Sequence, residues 1–164
     1  MSHSVVLSRA GIGLKAPLVK VEAHLSTGLP AFSVVGLPES SVRESRERVR
    51  SALICSHFKW PDRRITVSLA PAELPKSGGR FDLPIALAIL VASGQLSADT
   101  LVNREFFGEL GLDGSLRHCR GLLSAVQAAT LDQRTVILPA EQAKKMAVVP
   151  GSRVAAAGDL LSVC

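Results

Sequence analysis

The sequence predicts an α+β domain in which one sheet is covered by helices on one side. Three observations predict it. The front of the chain is a series of strand-like runs, and in Val19 to Ser26 apolar and polar residues alternate with a period of two. Behind it, short strands alternate with helices. Between them lies Leu83 to Ala92, apolar nearly all round, as a helix enclosed on every side must be. With 164 residues, a single domain over residues 1–164 is expected, large enough for a real core. Hydrophobic residues make up 47% and charged residues 20%, which argues against disorder.

The first two strands are Ser4 to Ala10 and Val19 to Ser26, parted by Gly11, Gly13 and Pro17. In the second, Val19, Val21, Ala23 and Leu25 face the core. Lys20, Glu22, His24 and Ser26 face water, which makes His24 a surface residue rather than a ligand. The turn Thr27 to Pro30 leads to a third strand, Ala31 to Val35, and the three are expected to form an antiparallel meander. Gly36-Leu37-Pro38 stops the third strand. A helix then runs to about Cys55, opened by a capping box of Ser41 and Glu44. Val42, Val49, Ala52 and Leu53 form its apolar stripe. Arg43, Arg46, Glu47, Arg48 and Arg50 cover the rest, with Glu39–Arg43 and Glu44–Arg48 as i,i+4 ion pairs. These arginines are either a solvated face with its own ion pairs or a face for nucleic acid or another partner.

Residues 56–63 form a polar connector carrying Trp60, and Ile65 to Leu69 is a strand. The loop after it holds Pro71, Pro75, Lys76, Gly78, Gly79 and Arg80. It enters the apolar helix, which is read from Leu83 to Ser93. Asp82 is expected to cap that helix, and Pro84 fits its first turn. A glycine loop ahead of a helix can bind an anion, which makes Lys76 and Arg80 candidate contacts. The plainer alternative is that the glycines only turn the chain. Further on come a helical turn at 97–102, a strand at Phe106 to Leu110, and a hairpin at Leu112 to Leu116 on Asp113-Gly114. A helix over Gly121 to Thr130 follows, with Leu122, Leu123, Val126 and Ala129 on one side. Thr135 to Leu138 is a buried strand, Pro139 opens a helix through Met146, and Val154 to Ala156 is the last strand.

The composition excludes more chemistry than it suggests. A net charge of +5, scattered along the chain, permits an acidic partner without demanding one. Cys55, Cys119 and Cys164 are far apart, so neither a zinc site nor a disulfide framework is expected, and a reducing, cytoplasmic setting fits. No signal peptide is read at the start, and no apolar run reaches the ~20 residues of a membrane span. The chain has no Gly-x4-Gly-Lys-Ser/Thr and no His-Glu-x-x-His, and Gly11-Ile-Gly13 is too short for a dinucleotide fingerprint. His118 and Cys119 are adjacent on a strand and should point to opposite faces. No catalytic, cofactor-binding or metal-binding residue is expected.

Three stretches carry a resemblance. They are Gly36-Leu-Pro-Glu-Ser-Ser-Val-Arg-Glu-Ser-Arg-Glu-Arg-Val-Arg-Ser-Ala-Leu53, then Ile65 through the glycine loop to Ala86, and Phe107-Gly-Glu-Leu110. They resemble the N-terminal domain of magnesium-chelatase-like AAA+ ATPases, the competence-protein ComM (YifB) group, over almost the whole chain. The resemblance implies the fold of domain two of ribosomal protein S-five, shared with the Lon proteolytic domain and the RadA C-terminal domain. It also implies a chain truncated before an ATPase module that would bind ATP and magnesium. The implied partners are that module, other subunits of a hexamer, and DNA. The implied whole is a branch-migration motor of recombination and natural transformation.

Lon-type proteases use a serine in the loop before the central helix and a lysine on the next long helix. Matching Pro75-Lys-Ser-Gly78 and Ile85-Ala86 places Asp82 at the serine. Matching Gly108-Glu-Leu110 and its hairpin places Leu123 at the lysine. Neither Asp nor Leu can supply that chemistry, so the resemblance implies a retained scaffold without peptidase activity. Three functions follow: a DNA-contacting accessory domain, a pure oligomerisation or protein-interaction module, or, with the dyad missing, the disfavoured Lon-related peptidase. Lys76, Arg80, Arg43, Arg46 and Arg50 are the candidate contacts, while Gly78, Gly79, Asp82 and Pro84 shape the loop and the helix entry.

Overall fold

Strands β1 (His3–Arg9) and β2 (Leu18–Ser26) pair antiparallel in a computed structural model that describes residues 2–36 and 38–164. Leu37, read as part of the stop after the third strand, lies outside the described residues. The period of two in β2 holds: Val19, Val21, Ala23 and Leu25 are buried and His24 is exposed. The meander does not form. β3 (Ala31–Val35) runs parallel to β4 (Arg64–Ala70), and β4 lies between β3 and β2. Ile65, Val67 and Leu69 of β4 are wholly buried, whereas β3 is half-wet. The more apolar strand therefore takes the inner position and β3 becomes the edge.

The expected long helix is broken at Glu44 into α1 (Ser40–Arg43) and α2 (Ser45–Cys55). The capping box is absent, because Ser41 Oγ accepts instead from the Gly78 N–H at 3.0 Å. Val42, Val49, Ala52 and Leu53 are buried as the stripe required. Helix α3 (Asp82–Ala92) is buried at every position. It lies across β1 and β2 with α2 beside it. Even the polar residues on the covered face of β1 are satisfied, Ser4 Oγ donating to the Ala88 carbonyl and Ser8 Oγ to that of Phe106.

The second half extends the sheet. β5 (Arg104–Phe106) joins β1 in parallel. The strand expected over Phe106 to Leu110 is split at Phe107-Gly108, and β6 (Glu109–Leu110) pairs with β7 (Leu116–Arg117) in a separate small hairpin. After it come α4 (Leu122–Leu131), β8 (Thr135–Pro139), α5 (Ala140–Met146), β9 (Arg153–Ala157) and α6 (Leu160–Val163). The seven-stranded order is β3-β4-β2-β1-β5-β8-β9. The α+β class is as the sequence predicts. Alternation along β8 puts Ile137 in the main core, while Val136 and Leu138 join a second cluster with Leu122, Ala125, Val126 and Ala129 of α4. Leu123, expected on that apolar side, is instead 49% exposed.

A buried charge network sits where β1 meets β5. Glu105 is fully buried between Arg9, at 2.7 Å, and Arg134, at 3.2 Å, and Arg9 also reaches Asp132. Burial works to lower the Arg9 pKa, but the hydrogen bonds and charges of Glu105 and Asp132 outweigh it and raise it, and Arg9 in turn holds Asp132 below the usual carboxylate range. Removing one member strands a buried charge. Glu105→Ala is therefore expected to cost about 3–5 kcal/mol in chemical denaturation, with Glu105→Gln milder. A cost within experimental error would show that the network is solvated.

Candidate functional site

The site is built around the loop from β4 to α3 and the entry of α3. The loop is shaped by a close approach: Gly36, at φ 104°, packs where a side chain would overlap the Leu69 carbonyl. Lys76 follows from that crossing. It was expected at the surface as an anion contact, yet it is 0% exposed. Its ammonium donates to the Gly36 carbonyl at 2.6 Å and to that of Pro71. Its own backbone carbonyl receives the Glu39 N–H at 3.0 Å. Lys76 thus ties the ends of β3 and β4 to the start of α1 and cannot reach an external phosphate. Burial lowers its pKa, since removal from water disfavours the charged form.

Asp82 is a second correction. It occupies the first turn of α3, the residue before it makes no side-chain cap, and its carboxylate points elsewhere. Arg48 of α2 donates to both oxygens, through Nε at 2.6 Å and through a terminal nitrogen at 3.1 Å. The Leu110 N–H of β6 donates at 3.1 Å. Arg48 also donates to the Ser41 carbonyl, joining α1 to the same knot. Asp82 is 1% exposed. Burial pushes its pKa up to about 6, against the pull of Arg48 and of the Leu110 N–H. Pro84 sits in the first turn of α3 as expected.

Arg80 lies half-buried in the short 3-10 turn Gly79–Phe81 that leads into α3. Its guanidinium donates to the carbonyls of Arg120, at 2.6 Å, and Arg9, at 3.3 Å, and burial lowers its pKa. Gly78 takes φ 79°, and Gly79 lets the Glu109 side chain close down where a Cβ would overlap it. A pocket of about 370 Å³ opens here, lined by residues 77–80, Glu109 and residues 118–120. The segment His118–Arg120 was missed as a site from sequence, because its neighbours across the pocket lie some forty positions earlier. Gln142 holds that segment, accepting from the Cys119 N–H at 2.8 Å and donating to its carbonyl at 2.6 Å.

The pocket contains Ser77, His118 and Cys119, yet among the described residues no hydrogen bond joins any two of these side chains. His118 is exposed and Cys119 buried, and burial pushes the Cys119 thiol up to about 11, far from a reactive thiolate. Leu123 does not line the pocket. Arg43, Arg46 and Arg50 are all exposed on α1 and α2, with Arg46 3.5 Å from Glu47. No group of three or more His, Cys, Asp or Glu side chains among the described residues is arranged to hold a metal. Among the described residues, no helix is long and apolar enough to cross a membrane.

The model of the family described as "Subunit ChlI of Mg-chelatase" matches residues 21–142. The competence protein ComM of Haemophilus influenzae is 50% identical over 163 residues, which is 99% of this chain and 32% of that protein. The protein YifB of Escherichia coli is 46% identical over 164 residues, again 32% of its length. An uncharacterised protein of Mycobacterium tuberculosis is 41% identical over 140 residues, 85% of this chain and 28% of that protein. The chain therefore spans about a third of the length of the curated relatives it matches.

The titration of Asp82 gives a signed expectation. Its folded pKa lies above the ordinary value of 3.8, at about 6. Its contribution to stability is therefore complete below pH ~4 and is lost as pH rises through ~6. At ~1.4 kcal/mol per unit, wild type should lose up to about 3 kcal/mol from this group over that interval. Asp82→Asn, which does not titrate there, should lack the loss. Parallel pH–stability curves for the two proteins would show that Asp82 keeps an ordinary or depressed pKa.

Proposed function

The chain belongs to the magnesium-chelatase-like family, in the group that holds ComM and YifB, and from that premise we propose that it is a non-catalytic accessory domain of an ATP-driven motor acting on DNA. In this reading it precedes an AAA+ ATPase module and works in the cytoplasm. The motor is a hexamer that promotes branch migration in recombination and natural transformation. ATP and magnesium belong to the module. This chain's own glycine loop does not fit them, because the Lys76 ammonium is already committed to the Gly36 and Pro71 carbonyls.

The observation that carries the reading is the state of Asp82. The Lon resemblance would put the nucleophile at this position, and here the oxygens are filled by Arg48 and the Leu110 N–H. A raised pKa in a buried carboxylate often marks an acid or base. Here the group is closed to solvent and holds two helices and a hairpin together instead. Leu123, matched to the lysine by the resemblance, is half-exposed and does not line the pocket. The remaining functional surface is cationic: Arg43, Arg46 and Arg50 on one side, Arg80 and Arg120 at the pocket.

A second reading, a pure docking module, is favoured by the exposed Ile54, Leu112 and Leu161. Their segments are linked, since Ser51 Oγ donates to the Leu112 carbonyl and the Leu160 N–H to that of Gly114.

The isolated chain is expected to cleave no unfolded protein substrate and to hydrolyse no ATP. It should bind DNA weakly, at ~10⁻⁴ to 10⁻⁶ M, with affinity falling steeply as salt rises. Arg43→Ala/Arg46→Ala/Arg50→Ala should flatten that salt dependence. Cleavage of casein that is lost in Ser77→Ala would restore the peptidase reading. DNA binding absent at low salt would leave the docking reading in its place.

A further inference from the structure

We infer that the pocket between residues 77–80 and 118–120 holds a singly charged phosphate ester. Its source, a phosphodiester of the DNA backbone, rests on the function proposed above; its oxyanion chemistry does not.

Arg80 carries the argument. Its guanidinium is half-buried, and its hydrogen-bond partners are the carbonyls of Arg120 and Arg9, with no carboxylate paired to it among the described residues. A cation withdrawn from water without a counter-ion is costly, and an arriving anion relieves that cost. Burial lowers the pKa of Arg80, in keeping with the missing counter-charge. By contrast, Arg9 and Arg48, the other arginines withdrawn at this end of the sheet and helix, both have buried carboxylates.

The neighbours fit the same ligand. Arg120 and His118 are exposed at the pocket, and the Arg120 carbonyl that receives Arg80 fixes their segment against the loop. Ser77 adds an exposed hydroxyl. Two arginines, an imidazole and a hydroxyl around about 370 Å³ suit a phosphate group better than an apolar ligand.

Glu109 sets the charge. It lines the pocket, packed against Gly79, and its field acts on Arg48 and Asp82. One carboxylate and two arginines in the same lining leave room for a single negative charge and penalise a second. A diester is therefore preferred over a terminal or free phosphate, and the lining holds no Phe, Tyr or Trp on which a base could stack.

The test follows the backbone amides of residues 77–80 and 118–120 by nitrogen–proton NMR. The probes are dimethyl phosphate, inorganic phosphate at pH 8, and a short single-stranded oligonucleotide. The diester and the oligonucleotide should give saturable shifts confined to these residues. Arg120→Ala, an exposed position, should weaken the oligonucleotide several-fold and reduce the salt slope by about 1. Glu109→Gln should tighten inorganic phosphate more than the diester. No saturable shift with any probe, or affinities unchanged by both Arg120→Ala and His118→Ala, would overturn the pocket. Oligonucleotide binding whose shifts fall only on residues 43–50 would overturn it too, while leaving the DNA reading intact. Dimethyl phosphate in the pocket without salt-sensitive oligonucleotide binding would uphold the pocket and end the DNA reading.

Discussion

The entry of α3 is the constraint on which the rest of the structure depends. A helix with no polar face has to be enclosed on all sides, so the chain that leads into it must also go inside. That brings a carboxylate, Asp82, into the core. A buried charge is tolerated only when it is paired and hydrogen-bonded. The pairing comes from Arg48 on α2 and the N–H of Leu110 on β6. The loop backbone is fixed from the same quarter, with the Gly108 N–H donating to the Arg80 carbonyl and the Leu83 N–H to that of Gly108. The split of the expected strand at Phe107-Gly108 is a consequence, because Gly108 bonds to the loop and helix entry as well as leaving the sheet.

The same constraint decides which cations are available. Lys76 is used to close the gap between the ends of β3 and β4, and Arg48 is used on Asp82. Arg9 is used on Glu105. Arg80 is held by two carbonyls, with no carboxylate paired to it among the described residues. A glycine loop that reads as a flexible anion cradle is therefore a fixed crossing. The pocket beside it is shared with His118 and Arg120 of another segment.

How much of this was legible follows from the range of each signal. The phase of β2 and the enclosure of α3 are written in local periodicity, and both hold in the structure. The position of β3 was not legible, because strand order depends on which strand is apolar enough to lie inside, and β4 comes thirty residues later. Asp82 before Leu-Pro has the local pattern of a cap, but its partner Arg48 lies 34 positions earlier and overrides it. Lys76 between a proline and a serine-glycine run looks like a surface residue; only the Gly36 crossing takes it inside. Nothing in the sequence marks Glu105 and Arg9 as partners until β5 is set beside β1. The sequence draws attention to the glycine loop, but that His118 and Arg120 line a pocket with it follows only from the fold, because they lie some forty positions later.

The central claim is that Asp82 and Arg48 act as a single structural knot and not as parts of a reactive site. A double-mutant cycle with Asp82→Asn and Arg48→Met, read by chemical denaturation at pH 7.5, tests it most directly. Arg48→Met is expected to cost about 3 kcal/mol or more, because it leaves the buried Asp82 carboxylate without its cation, whereas Asp82→Asn should cost less, because Arg48 is only half-buried and keeps the Ser41 carbonyl. The double variant should be more stable than Arg48→Met alone. Costs that simply add would contradict the account, since two groups that do not feel each other cannot be what holds the entry of α3 in place.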